Sequence, residues 1–222
     1  MLPAAEGIEY QLIRSRRRTI SVEVDHGSNV VVRAPSWVSA REIQRFVSDR
    51  REWISGKIAE AHARRTMIPK RTADNQVYLR GSLLTWGWQD ADIILPGSTH
   101  PHQAEAWLAT WQRQQAEQVF SSMIHEYLPL LGVPALRYTG LRLRKMRRRW
   151  GSCTRTGMIT LNEHLVRTPD ICIRGVVVHE LCHLVHLDHG PGFRALLAEV
   201  FPDHRLSDRL LSGWNSIIDY RY

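Results

Sequence analysis

His179-Glu180-Leu181-Cys182-His183 is the stretch of this chain whose residue types and spacing can do chemistry. It follows Val176-Val177-Val178 and runs on into Leu184-Val185-His186-Leu187-Asp188-His189, an apolar setting that reads as a buried helix. On such a helix His179 and His183 project from one face about a turn apart, where two neutral imidazoles can grip one zinc ion. Glu180 can then reach a water in an open coordination position. Unpaired imidazoles on a buried helix are costly, which favours metal binding over histidines that are merely hydrogen-bonded.

A catalytic zinc takes three protein ligands and keeps one position open. His189 is the obvious third, but it lies too far along to share the face of His183 on an unbroken helix. The helix is therefore expected to end near His186 or Leu187 and the chain to fold back. Gly190-Pro191-Gly192 supplies residues that stop helices and allow tight turns. The spacing matches H-E-x-x-H-x-x-G-x-x-H with His186 in place of the glycine, and His tolerates a left-handed backbone better than most residues. No methionine follows the motif, so a methionine turn is excluded. Glu199, His186 and His204 are the rival third ligands.

Zinc held this way would lower the pKa of its water to about 7 and polarise a carbonyl. Glu180 would accept the water's proton and deliver it to a leaving amine. An amide needs both actions, because its carbon is a poor electrophile and its nitrogen a poor leaving group. A purely structural zinc would use four protein ligands and have no need of Glu180. The residues point to a zinc-dependent hydrolase with one Zn2+, acting on a peptide or protein.

The run Arg142-Leu143-Arg144-Lys145-Met146-Arg147-Arg148-Arg149 admits three roles. It can be a solvated strand face, a patch attracting nucleic acid or another polyanion, or part of a hairpin bordering the metal cleft and pairing with an extended substrate. Two alternative functions follow from it. One is a metal-dependent nucleotide phosphohydrolase whose arginines hold phosphates; the other is a polyanion-binding protein with a structural zinc. Cys153 reads as a small buried residue rather than a ligand or nucleophile, Cys182 as core, and Trp150 as a residue packing against the metal helix.

The elements that must position these residues are legible in outline. Residues 8–34 read as strands, with Thr19–Val24 and Val30–Arg33 forming a hairpin about a turn at Asp25–Asn29 that Pro35 ends. Ser39 and Glu42 form a capping box that starts a helix with an apolar face through Ile43, Phe46, Val47, Trp53, Ile54 and Ile58. A polar connection from Arg64 to Asn75 leads to strands between Gln76 and Leu95. A long helix spans Gln103 to Leu131, its aromatic stripe a core face. Strand character between Leu136 and Leu161 turns at Thr154–Gly157. Thr168-Pro169-Asp170 then opens the metal helix with a capping residue, a proline at the first position and an acid. Helices follow over Phe193–Val200 and through Leu206, Leu210, Leu211, Trp214, Ile217 and Ile218.

At 222 residues, 43% hydrophobic and 23% charged, the chain can bury a real core. A β-rich region over 8–98 and a metal-binding region over 103–222 are expected. The net charge of +8 suits polyanions or solubility. Three cysteines without C-x-x-C argue against a disulfide framework, and the absence of a signal peptide or membrane-spanning run suggests a cytoplasmic protein with no membrane partner. Oligomeric state is not written in the chain.

Joint patterns are more specific than the zinc motif alone. Arg149-Trp150-Gly151-Ser152-Cys153, Ile159-Thr160-Leu161-Asn162, His179 to Leu184 and His189-Gly190-Pro191-Gly192-Phe193 resemble the YgjP-like metallopeptidase family, relatives of the SprT and WLM zinc peptidases. Arg17–Val22, Val30–Pro35, Phe46-Val47 and Trp53-Ile54 are similar too. The resemblance implies an α+β fold, with an antiparallel β-rich N-terminal part carrying one long helix and a zincin-like C-terminal part with a β-hairpin before the metal helix. It also implies zinc on His179, His183 and His189 with Glu180 as the catalytic carboxylate. Cys182 departs from the alanine common at that place.

Overall fold

The computed structural model describes residues 7–24, 28–66, 68–132 and 137–215, without the side chains of 62–66. Chain contacts divide it into two compact units, Met1–Ile68 and Pro69–Tyr222. The architecture is mixed α+β, as the sequence predicts.

In the first unit, strands β1 (Tyr10–Ser15), β2 (Ser21–Val24) and β3 (Val30–Pro35) form a sheet ordered β1-β3-β2. The expected hairpin is the antiparallel pair β2–β3, with Val22 opposite Val32. Residues 25–27 of its anticipated turn lie outside the described residues. β1 adds parallel to β3, with Tyr10 opposite Val30, a pairing that alternation alone does not signal. Covered on both edges, β3 buries Val30, Val31, Val32 and Ala34.

Helix α1 (Ala40–Ser48) starts at the anticipated capping box. The Glu42 amide donates to Ser39 Oγ at 3.2 Å, and the Ser39 amide donates to Glu42 Oε2 at 3.0 Å. The apolar face expected on one helix is shared between two. Arg50 N–H turns back to the Val47 carbonyl, closing α1, and α2 (Arg51–Thr66) restarts beyond it. Ile43, Val47 and Ile54 are fully buried against Val32 and Ala34. Trp53 is instead 48% exposed, a helix step of about 100° away from the fully buried Ile54. The polar stretch from Arg64 begins as the last turn of α2.

In the second unit, β4 (Gln76–Leu79) and β5 (Ser82–Gly87) form a hairpin, and β6 (Ile93–Ile94) pairs parallel to β5. Arg80 and Gly81 make its two-residue turn at φ +50° and +83°, the left-handed pair that such hairpins require. The tip is clamped onto the chain entering the helix of the histidine motif. Arg80 N–H donates to the Val166 carbonyl at 2.7 Å, Gly81 N–H to the Arg167 carbonyl at 3.0 Å, and the Arg80 guanidinium to Asp170 at 2.7 Å. A Cβ at position 81 would crowd Pro169 at 3.0 Å, so contact as well as φ favours glycine.

The long helix α3 (Ala104–Tyr127) is flanked by 3-10 turns over Pro101–Gln103 and Leu128–Leu131, together filling the expected span. Its first half packs Leu108 with Val77, Ile93 and Leu95. Its second half sends Phe120, Met123, Ile124 and Tyr127 into the main core.

β7 (Gly140–Arg144), β8 (Gly151–Cys153) and β9 (Met158–Asn162) form a third sheet ordered β7-β9-β8. Leu136 lies outside the described residues. The hairpin about Thr154–Gly157 joins β8 to β9, and β7 lies parallel to β9. Only Arg142 and Arg144 of the basic run are therefore on a strand; Lys145–Arg149 form an irregular connection that the alternation at Leu141 and Leu143 does not foretell.

Helix α4 (Asp170–Cys182) is buried along almost its whole circumference by Cys172, Ile173, Val176, Val177, Val178, Leu181 and Cys182. Thr168 is not its cap. Its hydroxyl turns back to the Leu165 carbonyl at 2.8 Å, and Pro169 occupies the cap position, its carbonyl accepting from the amides of Cys172 and Ile173. Helices α5 (Pro191–Val200) and α6 (His204–Trp214) complete the unit; Ile217 and Ile218 lie outside the described residues. No described helix is long and apolar enough to cross a membrane.

Replacing Ser39 with alanine removes the acceptor for the Glu42 amide, and is expected to cost about 1 kcal/mol of stability. Urea denaturation should show a lower midpoint with an unchanged slope; an unchanged midpoint would mean the cap contributes nothing.

Candidate metal centre

The α-helical hydrogen-bond pattern of α4 ends at Cys182, with His183 at its cap. Two tightening bonds follow, from the Leu184 amide to Leu181 and from the Val185 amide to Cys182, and the His186 amide bonds to Cys182 four residues back, so the winding ends close to His186 as anticipated. His186 has no positive φ, and the chain reverses without the left-handed residue that the spacing suggested. Other contacts secure the reversal. Gly190 N–H donates to Asp188 Oδ1 at 2.9 Å, Arg194 Nε donates to the His189 carbonyl at 3.0 Å, and a Cβ on Gly192 would meet the His186 ring at 2.8 Å. Gly190-Pro191 also opens the next helix, with glycine at its cap and proline in its first turn.

That reversal brings His189 over His179 and His183. Ligand atoms of the three rings lie within 4.8 Å of one another, and the Nε2 atoms of His179 and His189 are 3.0 Å apart. Two zinc–nitrogen bonds of about 2.05 Å at a tetrahedral angle separate their nitrogens by about 3.3 Å, so small ring movements suffice to hold one ion. Phe193, buried on α5, floors the group, with its ring centroid 4.7–5.0 Å from each imidazole. His183 Nδ1 lies 2.9 Å from the His186 carbonyl, which can only accept, so Nδ1 is the donor of that contact and Nε2 is the ring nitrogen left for a metal. Burial, and then the neighbouring His183 and His189, push the His179 imidazole down to about 4, leaving it neutral at ordinary pH. Glu199, His186 and His204 belong to no such cluster among the described residues.

Glu180 is 6% exposed and points toward β8. A Cβ on Gly151 would lie 2.5 Å from its Oε1, so only glycine lets the strand and the carboxylate approach this closely. Glu180 makes no side-chain hydrogen bond among the described residues. Burial pushes its carboxyl up to about 7, with the Arg149 charge pulling the other way. A carboxyl poised near neutrality, on the helix that carries two of the three imidazoles, can take a proton from water and give it back.

The cysteines fall outside this chemistry. Cys182 is fully buried. Cys153 is half-buried, its Sγ donates to the Thr154 carbonyl at 3.4 Å, and burial with the Glu180 charge pushes its thiol up to about 11, so it stays protonated. Trp150 is buried in the same core as α4, and its indole donates to Asn215 Oδ1 at 2.7 Å. The chemical motif by itself does not reveal Gly151 and Phe193; both stand in runs that carry the family resemblance.

No curated protein is significantly similar to the chain. The crystal structure of the metallopeptidase zymogen of Pyrococcus abyssi abylysin is 20% identical, over 42% of this chain and 87% of that one, with a TM-score of 0.34. A likeness that slight carries no argument. A family model described as the YgjP-like metallopeptidase domain matches residues 18–213, nearly the whole length, and it includes every residue of the histidine cluster and Glu180. The chain belongs to the YgjP-like metallopeptidase family.

Proposed function

We propose that the protein is a zinc-dependent peptidase in which His179, His183 and His189 hold one zinc ion and Glu180 is the general base. The observation that carries this is the convergence of three imidazoles at the end of the helix that also buries the Glu180 carboxylate, which no donor engages among the described residues. When bound, zinc supplies Lewis acidity that activates water and polarises an amide carbonyl. Glu180 takes the proton from the attacking water and returns it to the departing amine. Phe193 and the His183–His186 contact keep the rings oriented between turnovers.

The third sheet offers a place for the substrate. Bonds from the Asn162 amide to the Trp150 carbonyl and from the Thr154 amide to the Met158 carbonyl set the parity of the β8–β9 ladder. Residues 150, 152 and 154 thus bond to β9, and the N–H and C=O groups of Gly151 and Cys153 face the open edge. An extended peptide can add to that edge directly beside Glu180.

A second function has one observation in its favour. Arg144, Lys145, Arg147, Arg148 and Arg149 line a single cavity, an arrangement that suits the phosphates of a nucleotide. Diphosphate or phosphate release from nucleoside triphosphates, abolished in Glu180→Gln, would move the assignment from peptidase to phosphohydrolase.

Elemental analysis should find one zinc per chain, falling severalfold in the alanine variants of His179, His183 and His189. Full occupancy in His189→Ala would remove His189 from the ligand set. Glu180→Gln should keep its zinc and lose about 10²–10⁴-fold in cleavage of a broad peptide library; retained cleavage would defeat the general-base role. The same variant tests the burial of the carboxylate. The folded-state pKa of about 7 lies above the ordinary 4.5, so the folded protein holds an extra proton between those values, and stability falls as pH rises through that window. Metal-free Glu180→Gln should therefore melt higher than metal-free wild type at pH 8, by about 2–3 kcal/mol, with the gap closing below pH 4.5.

A further inference from the structure

Resting on the peptidase assignment, we infer that the basic cavity beside β8 is a specificity site, selecting substrates with acidic side chains at alternate positions. The cavity of about 510 Å3 is lined by Arg144, Lys145, Met146, Arg147, Arg148, Arg149, Ser152 and Thr160. Its five cations are exposed, and none makes a side-chain hydrogen bond or ion pair among the described residues. Five like charges on six consecutive residues repel one another, an arrangement that an anionic ligand relieves.

The connection bearing these charges is held in shape from below. Asn162, fully buried, donates from Nδ2 to the carbonyls of Met146 at 2.7 Å and Arg149 at 3.1 Å, and its amide donates to the Trp150 carbonyl at 2.8 Å. Trp150 is buried immediately after the last arginine. The backbone of the basic arch is thus fixed at both its start and its end, and its side chains stand over a defined surface.

That surface is the outer face of the third sheet. Ser152 is paired with Thr160, and Thr160 with Arg142, so these three share one face. Gly151 and Cys153 share the other, where Gly151 meets Glu180. A peptide added to the open edge of β8 continues this alternation. The residues flanking the one opposite Gly151 turn their side chains to the Ser152 face and into the basic cavity. Acidic side chains there would meet the unpaired guanidinium groups.

Two features favour a peptide over a nucleotide or a single-stranded nucleic acid as the occupant. The N–H and C=O groups of Gly151 and Cys153, without a partner strand among the described residues, match an extended backbone. No aromatic side chain lines the cavity to stack a base.

The test compares zinc-loaded wild type with Arg147→Glu/Arg148→Glu on three peptides of one sequence, carrying Asp, Asn or Lys at alternate positions. Both substitutions are on exposed side chains, and circular dichroism with zinc content checks that the variant is folded and loaded. Wild type should prefer the Asp peptide by about tenfold in kcat/KM, mostly through KM, with the preference shrinking as salt is raised. The double variant should turn the preference toward the Lys peptide. Fluorescence anisotropy of the labelled Asp peptide on Glu180→Gln should show binding that the added double substitution weakens. Equal cleavage of all three peptides would overturn the inference while leaving the peptidase intact. No cleavage of any peptide would overturn the peptidase assignment and the inference with it. Tighter binding of a nucleoside triphosphate or an oligonucleotide than of the Asp peptide would assign the cavity to phosphates instead.

Discussion

Helix α4 has almost no side that tolerates water, and the second unit is built to keep water from it. Strand, helix and hairpin close over Ile173, Val177, Val178 and Leu181, all fully buried. Each such aliphatic side chain contributes roughly 1.5–3 kcal/mol by leaving water. This apolar sheath holds a carboxylate and two imidazoles where they would not settle for their own sake. Burial that stabilises the valines raises the Glu180 carboxyl and lowers the His179 imidazole, so the forces that fold the helix also tune the groups it carries.

Position as well as burial must be fixed, and separate devices act on the two ends of the helix. At its start, the Arg80-Gly81 turn accepts a left-handed non-glycine residue because backbone bonds and the Asp170 ion pair hold it there. At its end, the chain leaves through tightening bonds, crosses His186 packed on Gly192, and presents His189 with its carbonyl tied to Arg194. Phe193 sits beneath all three rings, so the first turn of α5 is both the end of the reversal and the floor of the site.

Gly151 ties the helix to the sheet beside it. Removing the Cβ lets β8 approach within contact of the Glu180 carboxylate, and the same strand has one edge without a partner strand among the described residues. Exposed edges normally invite unwanted pairing, but this one is three residues long and bounded by a basic arch. Opposite faces of β8 thus carry different duties. One touches the buried Glu180 carboxylate and the other opens on a field of positive charge.

Much of this could be read from the chain. Local chemistry fixed the capping box at Ser39 and Glu42, the hairpin of β2 and β3, the long helix with its buried stripe, the apolar helix of the histidine motif, and the pairing of His179 with His183 one turn apart, because each depends on residues a few positions distant. Tertiary structure decided what depends on partners far along the chain. β1 and β7 pair in parallel with strands beyond their neighbours, the basic run leaves the sheet because Asn162 captures its backbone, and the break at Asp49–Arg50 divides a periodic face that sequence presents as continuous. Gly151 against Glu180 is the plainest case. A single glycine in a strand announces nothing until another element, 29 positions later in the chain, arrives where its side chain would have been.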